Sequence, residues 1–433
     1  MYDLAIIGGG PAGYSAAFEA AAKNMSAILF EKSDLGGTCL NRGCVPTKYL
    51  SHIARKFSDL SDSGKDGIFF DALRYDHERS KKRMEEIVLS LREGLKDSLL
   101  HDKVKVVSKE AKIVSEGVIS CNGEKYQAKN ILIATGSEAA PSPVRNAHIS
   151  DELLLINKIP EKLHVIGGGT IAVEFSSIFR MLGSEVTLSI RGDRILRKWD
   201  RDISISLTQS LKKKGIVINR NCDFSSFKKN ESEYLLSATG RRAYLPDSEG
   251  GLFEVGEKGG IITDGIGRTK TPGIFAAGDV REDSPDLAHL AMEQGRRVVR
   301  LIAGEEVKEN TSVIRCIYTD QETASAGLTE AEAEAEGRGI PFVSAKQTMY
   351  SNARTMISSD QRGFIKVLAG ADRRIIGAHL YCEHAGEIIS EFALAMDQGI
   401  TADEMIRTVR PHPSYSEAVT EALRILVRKL DEV

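Results

Sequence analysis

Cys39 and Cys44 stand four residues apart, flanked by Gly36, Gly37, Gly43 and Pro46. A strand-like run precedes them and a helix-like run begins near Pro46. With the first cysteine in a tight turn and the second in a first helical turn, their sulfurs approach bonding distance. Helix-terminal amides then favour a thiolate. That pattern suits a working dithiol/disulfide, and two buried thiols are the other reading of the spacing alone. At the far end, His412 is confined between Pro411 and Pro413, with Glu417 five residues on. If the chain turns into a helix after Pro413, that carboxylate orients and charge-stabilises the imidazole for acid–base work. A packing histidine is the bland alternative.

The elements that must position these groups begin with a strand at 4–7, the turn Gly8, Gly9, Gly10, Pro11, Ala12, Gly13, an alanine-rich helix over 14–23 and a strand over 26–30 ending at Glu31. Gly8 allows the tight turn, Gly10 lets backbone approach a pyrophosphate, and Gly13 lets helix pack on strand. Glu31 is placed to accept ribose hydroxyls. The unit repeats at 163–190, with Gly167, Gly168 and Gly169 in the turn and Ala172 in place of the third glycine. Two dinucleotides bound by one chain follow from the repeat. In the second copy Ile190 stands where Glu31 stands in the first, and Arg191, Arg194 and Arg197 come next. An acid there suits NAD(H); arginines suit the 2'-phosphate of NADP(H). A solvated basic loop is the alternative, and Trp199 reads as packing.

Between the repeats, 52–92 reads as two packed helices broken by a loop at 61–67, followed by short strands from 104 and a buried strand over 130–137. Residues 139–143, with Pro141 and Pro143, mark a boundary. After a compressed segment at 227–238, a strand over 271–280 ends in Gly278 and Asp279. From 311 the pattern changes to strands at 313–318, 363–368 and 374–379 with helices at 330–336, 387–398 and from 401. No glycine fingerprint appears there, and association between subunits is the natural role.

Length and charge are consistent with this. The chain has 433 residues, a net charge of -3 and a pI of about 6.4, which suggests about three domains and no nucleic-acid or anionic-membrane partner. No apolar stretch approaches a membrane span, and no secretory segment precedes the first strand. Six cysteines in such a chain are no disulfide scaffold. The expectation is a cytoplasmic protein in which a disulfide is catalytic. Cys121, Cys222, Cys316 and Cys382 read as ordinary small residues.

Taken together, the chain resembles the flavin disulfide reductases end to end, a family that includes dihydrolipoamide dehydrogenase, glutathione reductase and mercuric reductase. The resemblance implies an α/β fold: two Rossmann-type dinucleotide-binding domains with a C-terminal α+β dimerisation domain. FAD would be bound by 1–143 and a return segment 265–310, NAD or NADP by 144–264, and a second copy by 311–433. It implies FAD contacts from Gly8, Gly10, Gly13, Glu31, Thr38, Gly136, Gly278 and Asp279. Nicotinamide-nucleotide contacts would come from Gly167, Gly169, Ala172, Arg191 and Arg197. Cys39 would be the interchange thiol, Cys44 the flavin-side thiolate, and His412, with Glu417, the base supplied across a homodimer. Lys48 would sit near the flavin and pair with Glu174.

Among members, the absence of a C-terminal cysteine pair argues against mercuric reductase. Phe18 and Glu19 stand where glutathione reductases place substrate arginines, so dihydrolipoamide dehydrogenase is the nearest likeness, with lipoamide or a lipoyl carrier protein as substrate. Arg191 and Arg197 match the NADPH segment of glutathione reductase instead. Thr170, Gln321, the Arg410 and Pro411 pair and Ser414 depart from the usual pattern. An NADPH-driven reductase of another small disulfide is the runner-up, and a structural component of a multienzyme complex is the reading from a different class.

Overall fold

Tyr2–Ile7 (β1) ends in four buried apolar residues, Leu4 to Ile7, as a central parallel strand requires. In the computed structural model, which describes residues 1–224, 234–308, 312–335, 339–358 and 363–432, β1 ends at Gly8. There the backbone takes φ +107°, and a Cβ would lie 2.3 Å from the Ala134 carbonyl oxygen. Helix α1 (Pro11–Ala22) opens with a proline in its first turn, where no amide hydrogen is needed. Then come β2 (Ala27–Phe30), α2 (Gly37–Arg42), α3 (Cys44–Ser61) and the 25-residue α4 (His77–His101). β3 (Lys105–Val107), β4 (Lys112–Ser115), β5 (Val118–Cys121) and β6 (Glu124–Ile133) complete this stretch. The sheet runs β3-β2-β1-β6-β5-β4, parallel as far as β6 and antiparallel beyond it.

β7 (Ser137–Ala139) and the short α5 (Ser150–Leu153) lead into the repeat. It comprises β8 (Lys162–Ile166), α6 (Thr170–Met181), β9 (Glu185–Ser189), α7 (Arg201–Lys213), β10 (Val217–Asn219) and β11 (Tyr234–Ser237). Its four strands are all parallel, in the order β10-β9-β8-β11. The polar residues 228–233 expected to interrupt short strands lie outside the described residues. β12 (Arg241–Ala243) pairs antiparallel with β7, and β13 (Ile274–Ala276) returns to lie parallel to β6 in the first sheet. Helix α8 (Ala288–Ile302) packs against α1 so closely that a Cβ on Gly295 would lie 2.1 Å from the Ala12 carbonyl oxygen.

The last part is one antiparallel sheet built from β14 (Arg315–Tyr318), β15 (Glu322–Gly327), β16 (Phe342–Thr348), β17 (Phe364–Gly370) and β18 (Ile375–Tyr381). Its order is β14-β15-β18-β17-β16. Helices α9 (Glu330–Glu334), α10 (Ala353–Ile357), α11 (Ala385–Gln398), α12 (Ala402–Met405) and α13 (Glu417–Asp431) accompany it. Val419, Ala422, Leu423 and Leu426 of α13 share one buried face and pack with Ile365, Val367 and Leu380 of the sheet. Each such leucine or valine contributes roughly 1.5–3 kcal/mol by leaving water.

One core crosses the units: Leu50 and Ala54 of α3, Phe175 and Phe179 of α6, Trp199, and Ile317, Phe364 and Tyr381 of the last sheet form a single buried cluster. The cysteine-bearing helix is thereby held against both neighbours. No helix among the described residues is long and apolar enough to cross a membrane.

Candidate active site

The cysteine loop is shaped by Gly36 and Gly37, both left-handed, at φ +92° and +59°. They turn the chain into α2, which carries Cys39 and ends at Gly43, so that Cys44 is the first residue of α3. Both cysteines are free thiols, Cys39 half-buried and Cys44 exposed. They share a hydrogen bond, and it separates their proton affinities. The Cys39 thiol donates to Cys44 and, with the Lys48 charge one turn along α3, holds Cys44 down at about 7. The same interaction and its own burial push Cys39 well above the ordinary thiol range. Near neutrality Cys44 is thus poised as thiolate, whereas Cys39 keeps its proton until a base removes it.

Lys48 reaches across to α6. Its Nζ is 2.9 Å from both carboxylate oxygens of Glu174, which is only 4% exposed. The Tyr318 amide of β14 donates to Glu174 Oε1 at 2.8 Å, and Lys48 Nζ sits 4.6 Å from the Tyr318 ring centroid. Three separate parts of the chain meet at one carboxylate.

The first glycine turn forms a backbone cradle. Gly9 N–H and Ser33 N–H each donate to Glu31 at 2.7 Å. A Cβ on Gly37 would lie 2.7 Å from Gly10 Cα, so the cysteine loop and the glycine turn face each other with backbone only. The first turn of α1 has no side-chain cap, which leaves its amides for an anion. Thr38 lies in α2 beside this turn, and Gly136 opens onto free space. Gly278 N–H donates to Gln294 at 2.8 Å, and Asp279 accepts from Ser137 Oγ at 2.8 Å. A flavin dinucleotide fits this set: uncapped amides for phosphate, carboxylates for hydroxyls.

The second turn repeats the plan. Gly167 takes φ +125°, α6 has no side-chain cap at Gly169, and a Cβ there would meet nothing within 4 Å. Ala172 is wholly buried and packs helix on strand. Leu196 N–H donates to Gly168 O at 2.7 Å and folds the arginine loop back onto the turn. Arg191 and Arg197 are exposed on that loop, Arg191 with its guanidinium carbon 5.8 Å from the Phe224 ring centroid. Arg197 lies 3.9 Å from Asp193, a loose contact at the surface. Arg194 turns inward instead, donating to Arg197 O at 2.9 Å. Trp199 is buried packing, as read from the sequence.

His412 is 73% exposed in its side chain, with Nδ1 2.8 Å from Glu417 Oε1. Glu417 also accepts the Ser414 amide at 2.8 Å, and these two contacts hold it below the usual carboxylate range. With Nδ1–H given to the carboxylate, the outward Nε2 is the basic nitrogen. Among the described residues, no hydrogen bond or ion pair joins His412 to either cysteine. Arg410, a departure from the family pattern, anchors the loop: its side chain is 4% exposed and bonds Glu391 at 2.8 Å and Thr420 at 2.9 Å.

Sequence reading missed Tyr14. One turn into α1, it is pushed up to about 12 by burial and by the charge that Cys39 would carry as thiolate, so it stays a neutral phenol near neutrality. Its ring meets Phe18 edge-on at 6.4 Å, while Glu19 turns away to pair with Arg300 at 3.0 Å. The available signal was helical spacing: Tyr14 and Phe18 lie one turn apart on the helix that follows Gly10.

Residues 2–295 match the family model described as pyridine nucleotide-disulphide oxidoreductase, and residues 313–423 match that family's dimerisation domain. The chain belongs to this family: it is an oxidoreductase that works with FAD and a nicotinamide nucleotide. It is 32% identical to the dihydrolipoyl dehydrogenase of Bacillus subtilis (strain 168) over 98% of this chain and 96% of that one. The dihydrolipoyl dehydrogenase of Trypanosoma brucei brucei is also 32% identical, over 97% and 95% of the two chains. Among solved structures, LpdA from Mycobacterium tuberculosis superposes with a TM-score of 0.90 at 24% identity, covering 98% of this chain and 100% of that one. The HOCl-induced flavoprotein disulfide reductase RclA from Escherichia coli gives 0.86 at 25% identity, covering 98% and 100%.

Proposed function

We propose that the chain is a homodimeric dihydrolipoamide dehydrogenase that uses NADP(H) at least as well as NAD(H), in the cytoplasm, on free lipoamide or a lipoyl carrier protein. The observation that carries this reading is where the two halves of the chemistry stand: Cys39 and Cys44 adjoin across the α2–α3 junction with Lys48 one turn on, and no hydrogen bond or ion pair among the described residues joins them to His412. The exposed His412, oriented by Glu417, is a base without a substrate in its own chain.

The chemistry follows from those groups. With Cys39 and Cys44 oxidised, one thiolate of a dithiol substrate attacks the Cys39 sulfur, and Cys44 leaves as thiolate. His412 of the partner subunit takes the proton from the second substrate thiol. That thiol closes on the first substrate sulfur and expels Cys39, which recovers the proton from the imidazolium. The products are a cyclic disulfide and the reduced pair. FAD, held by Gly8, Gly10, Gly13, Glu31, Thr38, Gly136, Gly278 and Asp279, supplies the two-electron relay between this pair and the nicotinamide. Lys48 and Glu174 keep a cation one turn from Cys44, and Gly167, Gly169, Arg191 and Arg197 receive the nicotinamide nucleotide. We assign 1–143 with 265–310 to the flavin, 144–264 to the nicotinamide nucleotide and 311–433 to the subunit interface.

Phe18 and Glu19, standing where an anionic peptide disulfide would need arginines, support a small, largely apolar dithiol, as do the relatives named dihydrolipoyl dehydrogenase. The arginine loop and the likeness to a flavoprotein disulfide reductase favour a second reading: NADPH-driven reduction of another small disulfide. A matched steady-state assay separates them. It compares dihydrolipoamide oxidation with NAD+ and NADP+ against reduction of lipoamide and glutathione disulfide with NADH and NADPH. Turnover of lipoamide in either direction is expected; turnover of glutathione disulfide without lipoamide would replace the first reading by the second.

A further inference from the structure

Lys346 and Lys366 stand directly opposite each other on neighbouring strands β16 and β17. Like charges so paired oppose sheet formation unless something neutralises them. Two of the three neutralising carboxylates come from the repeat, between β9 and β10. Asp202, in the first turn of α7, bridges the two lysines: Oδ1 is 3.3 Å from Lys346 Nζ and Oδ2 is 3.1 Å from Lys366 Nζ. Asp200, which caps α7 by accepting from Asp202 N–H at 2.9 Å, is held by Lys366 Nζ at 3.0 and 3.2 Å. Glu330 of α9 completes the cluster at 2.6 Å. Lys366 and Asp200 are 3% and 2% exposed. A lysine is buried in the sheet, at the cost of its hydration, to grip a helix start more than 160 residues away in sequence.

What that helix start controls is the arginine loop. Asp200 follows 191–199 directly. Within the loop Trp199 N–H donates to Leu196 O at 2.9 Å, and Ser204 Oγ of α7 donates to Ile195 O at 2.7 Å. Leu196 is held left-handed, at φ +52°, where its N–H reaches Gly168 O. A β-side residue with this backbone persists only when both flanks are fixed. The glycine turn fixes one flank and the lysine pair fixes the other.

We propose that Lys366, assisted by Lys346, is a positioning residue for the nicotinamide nucleotide, acting from the interface sheet through Asp200 and Asp202 on the loop that carries Arg191 and Arg197. The inference rests on the assignment of that loop to the nucleotide. It makes nucleotide affinity depend on a sheet whose lysines reach the loop through Asp200 and Asp202.

The sole tryptophan of the chain, Trp199, adjoins Asp200 and reports on the loop. In Lys366→Met holoenzyme, KM for NADPH and NADP+ should rise at least tenfold. The dihydrolipoamide KM and kcat should change less than threefold, and Trp199 emission should shift to the red. Lys366→Arg should recover most of the nucleotide affinity. Lys346→Met, at an exposed position, should show the same pattern at a few-fold. Should Lys366→Met not fold, Lys346→Met and Lys366→Arg decide the matter by the same readouts. Nucleotide KM values within twofold of the parent in the folded variants, or equal losses for nucleotide and dithiol, would overturn the proposal. Arg191→Gln with Arg197→Gln, measured alongside, separates the two levels. If the arginines matter and the lysines do not, only this inference fails; if neither matters, the assignment of the loop fails with it.

Discussion

The Lys48 ammonium lies 2.9 Å from both carboxylate oxygens of Glu174, a residue 126 positions away that also accepts the Tyr318 amide. Lys48 is a third exposed, Glu174 hardly at all, so the pair is worth less than a fully buried one. Lys48→Met should cost about 2 kcal/mol, read as a lowered thermal midpoint of the holoenzyme. It should also raise the pKa of Cys44, since a cation that favours the thiolate is gone.

That second effect has a direct readout. Alkylation of Cys44 in the reduced enzyme should inflect near pH 7, where the hydrogen bond from Cys39 and the Lys48 charge hold it. Cys39→Ala and Lys48→Met should each move the inflection upward, toward that of an ordinary thiol. The sign follows from linkage: a depressed thiol pKa means the thiolate is favoured in the fold, and the benefit is lost as pH falls through about 7. An unmoved inflection would remove both groups from the account of Cys44.

Much of the candidate site was legible in the sequence. The glycine turns were readable because φ +107° at Gly8 and +125° at Gly167 exclude other residues on local grounds, and because each turn sits between a strand pattern and a helix pattern. Glu417 was within reach of His412 by spacing. The contact of Lys48 with Glu174 was not derivable from spacing; family likeness alone suggested it. Tyr14 could be read only as half of an aromatic pair one turn apart with Phe18, since nothing local says which face of α1 meets the cysteine loop. The ion cluster at Lys366 was equally hidden, because it joins residues distant in sequence. Helix α4 runs on to His101, past the expected end near 92, because Leu95 and Leu99 continue its packing face against the first sheet's helices.

Glu417 is held below the usual carboxylate range and so stays ionised until the solution is distinctly acid. Glu417→Gln removes the carboxylate that orients the His412 ring through Nδ1, and kcat for dihydrolipoamide should fall about tenfold. His412→Ala should cost on the order of 10²–10⁴ in kcat. Steady-state rates of the two variants check both, and equal rates for Glu417→Gln and the parent would remove the carboxylate from the account.

Gly37→Ala would put a methyl 2.7 Å from Gly10 Cα, at a left-handed position. Because the loop and the glycine turn meet there with backbone only, the variant should be purified with much less flavin than the parent. The absorbance ratio of flavin to protein measures this, and full occupancy would contradict the proposed cradle.

Arg191→Gln with Arg197→Gln should raise KM for NADP(H) on the order of tenfold or more, and that for NAD(H) only slightly. Equal changes would leave both arginines as surface charges.

The central claim is that one subunit's Cys39 is served by the other's His412, and mixed dimers test it most directly. A dimer of one Cys39→Ser chain and one His412→Ala chain pairs an intact dithiol with an intact histidine only across the interface. Such dimers, isolated with two different affinity tags, should oxidise dihydrolipoamide at close to half the parent rate, while each homodimeric variant stays nearly inactive. A mixed dimer as inactive as its parents would show that the histidine does not work in trans, and the mechanism proposed here would fall.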